Sequence, residues 1–270
     1  MPNLLTGLAQ PYVQNALLGG LIVALLAAVV GYFVVVRGAS FATHALSQIG
    51  FAGAAGAALV GVAPLVGLIA FALLGAVGLG ALTARTRSSD VTTALVLVTA
   101  LGTGALFLAL QRDYASNEFA LLFGTIVGVD RTQVIITALV ALVALTALGI
   151  IARPLLFATV ARDAASSAGV PVAKLDLAFL AVIALSAAVT VPIVGTLLVF
   201  SLTIGPAAAA ARLASRPLTV IGLGAAFGMS AVIIGIALAY LTDWPIGFYI
   251  ATITTVQYAL ARGYASLSSP

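Results

Sequence analysis

Residues 51–82 read FAGAAGAALVGVAPLVGLIAFALLGAVGLGAL and contain no charged side chain. A helix crosses the hydrocarbon core of a bilayer in about 20 residues. The run is therefore too long for one crossing and fits two, and Pro64 near its middle suits a turn or the first turn of the second helix. The rest of the chain has the same character. Of 270 residues only 18 are charged (11 Lys/Arg and 7 Asp/Glu), 63% are apolar and 27 are Gly, and the mean hydropathy is +1.27. A soluble fold of this size must turn much of its surface to water and cannot hide so large an apolar share.

These numbers predict an all-α, polytopic membrane protein, a single transmembrane domain over 1–270 with no sizeable part outside the bilayer. Continuous apolar runs of about 20 residues speak against a transmembrane β-barrel, whose strands alternate over about ten. The chain has no Cys, which excludes a disulfide framework, a thiolate cluster and a thiol nucleophile. The net charge of +4 does not point to nucleic acid, because its distribution follows the spans. The first run, Leu17 to Val36, has no preceding basic region or processing site and is expected to remain as a helix.

Helices are expected at about 14–36, 41–62, 64–83, 91–111, 131–151, 175–191, 193–211, 218–240 and 245–262. The break at Val191-Pro192-Ile193 is placed on the proline. With nine crossings and the N-terminus outside, nine basic residues fall on the cytoplasmic side: Arg37, Arg85, Arg87, Arg153, Arg162, Lys174, Arg212, Arg216 and Arg262. Only Arg112 and Arg131 fall outside, a strong positive-inside bias. Merging either ambiguous pair of spans spoils the sorting.

Two connections are long. Residues 112–130 contain FALLFGTIVG, too short to span, which fits either a re-entrant or interfacial helix or a packed loop. Residues 152–174 (ARPLLFATVARDAASSAGVPVAK) are expected on the cytoplasmic side as a long loop. A short helix between Pro154 and Pro171 would have a small face of Ala161, Ala164, Ala165 and Ala168 and a stop at Gly169. Such a segment can lie on the membrane surface or enter a groove on a partner.

Inside the spans, Gly53, Ala57 and Gly61 form a small-residue stripe, and Gly67, Phe71 and Gly75 share its spacing on the next helix. No buried acid or base marks a proton-coupled carrier, and no GxxxxGK[ST] loop handles nucleotide, so the energy source lies on another polypeptide. The single histidine, His44, stands near the start of the second span beside Ser40 and Thr43, with Gln48 one turn on. One imidazole is not a high-affinity metal site. It serves equally as a pathway residue or as a hydrogen-bonded packing element.

Five landmarks in order resemble the membrane permeases of the zinc/manganese/iron class of ABC importers. Arg37-Gly38-Ala39-Ser40-Phe41-Ala42-Thr43-His44-Ala45 resembles an Asp-x-x-Ser-His-Ala element, and Glu118 to Ile126 a Leu-Phe-Gly-x-(Ile/Leu) element. Phe157 to Gly169 resembles the cytoplasmic coupling segment. Val194 to Val199, running on to Ile204-Gly205-Pro206-Ala207-Ala208, resembles VGxLLV…PAA, and Asp243-Trp244-Pro245-Ile246-Gly247 an Asp-x-Pro-x-Gly turn.

The resemblance implies a non-enzymatic permease of a prokaryotic cell membrane. It would work as a homodimer with two cytoplasmic ATPase subunits that bind the ATP, and with an extracytoplasmic metal-binding protein that delivers Zn²⁺, Mn²⁺ or Fe²⁺. No tightly bound cofactor is implied. His44, Gln48, Ser40, Thr43 and Asp243 become candidates for the translocation pathway, with His44 in transient contact with the metal. Phe157, Arg162, Asp163, Ala165 and Gly169 become candidates for coupling to the ATPase. Two departures stand out: Ser40 occupies the acidic position of the histidine element and Thr43 its serine, and the expected acid after Phe157 is missing. An importer permease for an organic or chelated solute, and an uncoupled channel or scaffold, are the alternatives.

Overall fold

The computed structural model describes residues 10–83, 89–111, 129–196 and 198–268, and among them every regular element is a helix. In chain order these are α1 (Pro11–Val36), α2 (Ser40–Leu59), α3 (Pro64–Thr83), α4 (Ser89–Ala109), α5 (Arg131–Val160), α6 (Arg162–Ser167), α7 (Val172–Val194), α8 (Val199–Leu213), α9 (Pro217–Thr242) and α10 (Ile246–Ser268). Six of them, α1, α3, α4, α5, α7 and α9, are long and apolar enough to cross a membrane. The chain is a polytopic helical membrane protein. Of the other long helices, α8 is apolar but has 15 residues, and α2 and α10 carry more polar side chains.

Local chemistry sets most helix ends. Pro11 and Pro217 open α1 and α9, where a missing N–H costs nothing. The Asp130 carboxylate caps α5 by accepting from the Gln133 N–H at 2.6 Å. At the end of α1, Gly38 has φ +65; its N–H donates to the Val35 carbonyl and that of Ala39 to Val34. This is a Schellman cap, whose left-handed residue is usually glycine.

Two expected boundaries move. The break placed on Pro192 lies three residues later, since α7 runs through the proline to Val194 and Gly195, at φ 93, turns the chain. Likewise α5 does not stop at 151 but continues through Pro154 to Val160, so the first part of the expected loop is helix. A proline inside a helix removes one N–H and bends the axis; a helix held by neighbours on both sides of the bend survives it.

Helices α1 and α7 form the centre, with two-thirds of each span buried, against 17% for α4 and 22% for α5. Helices α2, α3 and α4 pack together on one flank and α8, α9 and α10 on the other. Close approach relies on small residues. A Cβ on Gly31 would strike the Thr203 carbonyl, and one on Gly53 would strike the Gly67 carbonyl and Phe71. The stripe predicted at Gly53 and Ala57 is thus a true contact, whereas Gly61 caps the end of α2 at φ 75 with nothing near its Cβ position. The stretch FALLFGTIVG lies outside the described residues.

Candidate functional site

The candidate residues fall into two groups and one outlier. The first group is on α2, whose start follows directly on the Gly38 cap. The Thr43 hydroxyl donates to the Ala39 carbonyl at 3.0 Å and the Ser47 hydroxyl to the His44 carbonyl at 2.8 Å. Both bonds turn polar side chains back onto their own helix. The His44 ring meets Phe200 of α8 edge-on, with centroids 5.5 Å apart, and its Nδ1 is buried without a hydrogen-bond partner. Ser40 is half-buried in the first turn.

Gln48 is the sharper anomaly. It is 0% exposed, and neither its amide nitrogen nor its amide oxygen has a partner. Ser186 of α7, Thr196 of the α7–α8 connection and Thr203 of α8 also bury hydroxyls without partners, and α7 and α8 both pack against α2. Each such group costs about 1–3 kcal/mol when desolvated and unpaired. Buried donors and acceptors of this kind on α2, α7 and α8 are therefore expensive for the fold, as are those of Gln133 and Thr137 on α5 and Gln257 on α10. Among the described residues no three His, Asp or Glu side chains gather as a metal cage.

The second group surrounds α6. The helix is six residues long, with Ala165 fully buried and Asp163, Ala164, Ser166 and Ser167 exposed. The expected small face is thus reduced to one inward alanine, and Ala164 and Ala168 face outward. Gly169, at φ 80, ends α6 as predicted: its N–H donates to Ser166 and that of Val170 to Ala165, a second Schellman cap. Phe157 stands 42% exposed on α5.

Arg162 reaches Asp176 of α7 at 2.7 Å, and here the structure adds residues that sequence reasoning passed over. The other Asp176 oxygen holds Arg37 at 2.5 Å. The same Arg37 donates to the Leu155 carbonyl at 3.2 Å and the Thr159 hydroxyl at 2.7 Å, and its guanidinium lies 5.5 Å from the Phe179 ring centroid. A cavity of about 650 Å³ opens beside this junction, walled by Arg37, Asp90, Thr93 and Asp176 among apolar side chains.

Asp243 joins neither group. It is the left-handed C-cap of α9, φ 57, and is exposed. The α9 end it terminates packs with the Pro11 end of α1, through Ile236, Ala239, Val13 and Ala16, away from the Arg37 end where α2 begins.

Comparison with known proteins matches this arrangement at several levels. The model of the ABC 3 transport family covers residues 9–264. The manganese transport system membrane protein MntC of Halalkalibacterium halodurans is 26% identical over 255 residues, which is 94% of this chain and 87% of that one. The high-affinity zinc uptake system membrane protein ZnuB of Haemophilus influenzae is 26% identical over 91% of this chain and 95% of its own. A solved structure, PsaBC from Streptococcus pneumoniae in complex with Fab, superposes with a TM-score of 0.87 at 25% identity, covering 98% of this chain and 99% of that one.

Proposed function

Because the chain belongs to the ABC 3 transport family, we propose that it is the membrane permease of an ATP-driven importer for Mn²⁺ or Zn²⁺. The observation that carries the reading beyond the family is the presence of buried polar atoms without partners on α2, at His44 and Gln48, and on the helices packed against it, at Ser186 and Thr203. The relatives named above carry manganese or zinc in their names. Iron, which the resemblance to the importer class also implies, gains no support from these relatives.

In this reading all nine long helices cross the bilayer with the N-terminus outside, in a prokaryotic cell membrane, and two copies form the permease. The positive-inside sorting of the arginines supports the orientation. The Arg37 end of the bundle is then cytoplasmic, so α6 faces two ATPase subunits, and Asp243 lies on the side from which a binding protein delivers the ion. His44 offers an imidazole and Gln48 an amide oxygen, while Ser40 replaces a carboxylate. Such a donor set holds a divalent ion weakly, as passage demands. Closure of the ATPases on α6 would rock the helices as bodies and alternate access to His44 and Gln48.

Co-purification tests the assembly. With its ATPase and binding protein co-expressed, the chain should hold the ATPase, and loaded binding protein should raise ATP hydrolysis. A chain that binds neither is a channel or scaffold.

A further inference from the structure

Four elements converge on one carboxylate. Asp176 lies in the second turn of α7, with Arg162 of α6 on one oxygen and Arg37, the residue after α1, on the other. Through its second nitrogen Arg37 also holds the last turns of α5 at Leu155 and Thr159. Helix α6 is a helix of six residues, far too short to keep its place by its own hydrogen bonds. Its position depends on its attachments: the Ala161 joint, the buried Ala165, the Gly169 cap and the Arg162–Asp176 pair. The ion pair joins α6 to α7 and, through the Arg37 that shares the carboxylate, to the end of α1.

We infer that Asp176 is the positioning residue that makes α6, the end of α5, and the two central helices α1 and α7 move as one body, so that a push on α6 reaches α7, which packs against the helix that carries His44 and Gln48. The inference rests on the proposed role of α6 as the ATPase-facing segment. The chemistry favours a rigid joint over a loose contact. A carboxylate offers two oxygens in a fixed plane, and each guanidinium is a planar fork that meets it directionally. Arg37 is nearly enclosed, its side chain 12% exposed, whereas Arg162 is 61% exposed. Arg37 anchors the carboxylate, and Arg162 attaches the mobile piece to it. An exposed pair of that kind adds little to stability, so its loss separates a coupling role from a structural one.

The test uses the full complex of this chain, its ATPase and its binding protein in lipid vesicles. The variants are Asp176→Asn, Arg162→Ala, the double variant and Arg162→Lys. The readout is the ratio of ATP hydrolysis with loaded binding protein to hydrolysis without it, beside the melting temperature of each complex. Asp176→Asn and Arg162→Ala should each lower the ratio at least about fivefold. The double variant should lose no more than Asp176→Asn alone, since Arg162 acts through Asp176. Arg162→Lys should fall between wild type and Arg162→Ala, and the Arg162→Ala complex should melt within about 3 °C of wild type. A ratio preserved in Arg162→Ala, or losses that multiply in the double variant, or losses that track melting temperature, would overturn the inference. If Asp176→Asn does not assemble, Arg162→Ala and Arg162→Lys decide the matter alone. The binding protein is loaded with Mn²⁺ or Zn²⁺, whichever raises hydrolysis by the wild-type complex. A wild-type complex blind to its binding protein would instead overturn the importer reading, and this inference with it.

Discussion

Gly53 and Gly67 face each other across the α2–α3 contact so closely that a Cβ on either would collide with the backbone carbonyl of the other. The crossing places α2 against the rest of the bundle and with it His44 and Gln48. Gly53→Ala should therefore force the helices apart and destabilise the protein by about 1–3 kcal/mol, the usual cost of overpacking. Gly149 is the control: it sits exposed in α5 with nothing near its Cβ position, so Gly149→Ala should be neutral or stabilising by up to about 1 kcal/mol. Thermal unfolding of the two variants in the same detergent would show the contrast, and equal melting temperatures would contradict the packing account.

Gln48→Leu should separate stability from function. The change keeps the approximate volume and removes two buried polar groups that have no partner. Stability should rise by about 1–3 kcal/mol, while metal uptake falls. A drop in melting temperature would mean that the amide has a partner within the fold and is no part of the pathway.

His44 can be tested against its packing role directly. Its ring rests edge-on against Phe200, so His44→Phe keeps an aromatic in place and removes the nitrogen donors, whereas His44→Ala removes both. If the imidazole touches the ion, both variants lose uptake severalfold. Retained uptake in His44→Phe alone would make the residue a packing element.

Gly169→Ala should cost about 1 kcal/mol, because a Cβ is strained at φ 80. The strain falls on the cap of α6, so uptake per ATP should drop more than melting temperature does. Parallel losses in both would remove α6 from the coupling route.

The features legible in the sequence were local ones. The four-residue spacing of Gly53 and Ala57 announced a helix contact, Gly169 announced the end of α6, and the apolar runs announced the helices. Prolines are weaker punctuation than the sequence suggests: Pro154 and Pro192 both lie inside helices, since each removes one backbone donor and leaves flanking turns that neighbouring helices hold in place. Gly195, three residues past Pro192, is where φ turns positive. The Arg37–Asp176 pair was hidden because its partners stand 139 residues apart, and nothing local to either reveals the other. One signal was present, an acid among arginines on the same side of a chain with so few charges. The unpartnered state of Gln48 was likewise invisible, since spacing places an amide on a helix face and only packing shows what meets it.

The most direct measurement is uptake of radioactive Mn²⁺ and Zn²⁺ into vesicles that contain this chain with its ATPase, with loaded binding protein on the outside, in the presence and absence of ATP. The account predicts ATP-dependent accumulation of one of the two free ions, abolished when the binding protein is left out. Stimulated ATP hydrolysis with neither ion accumulating, or accumulation only of a chelate, would contradict it.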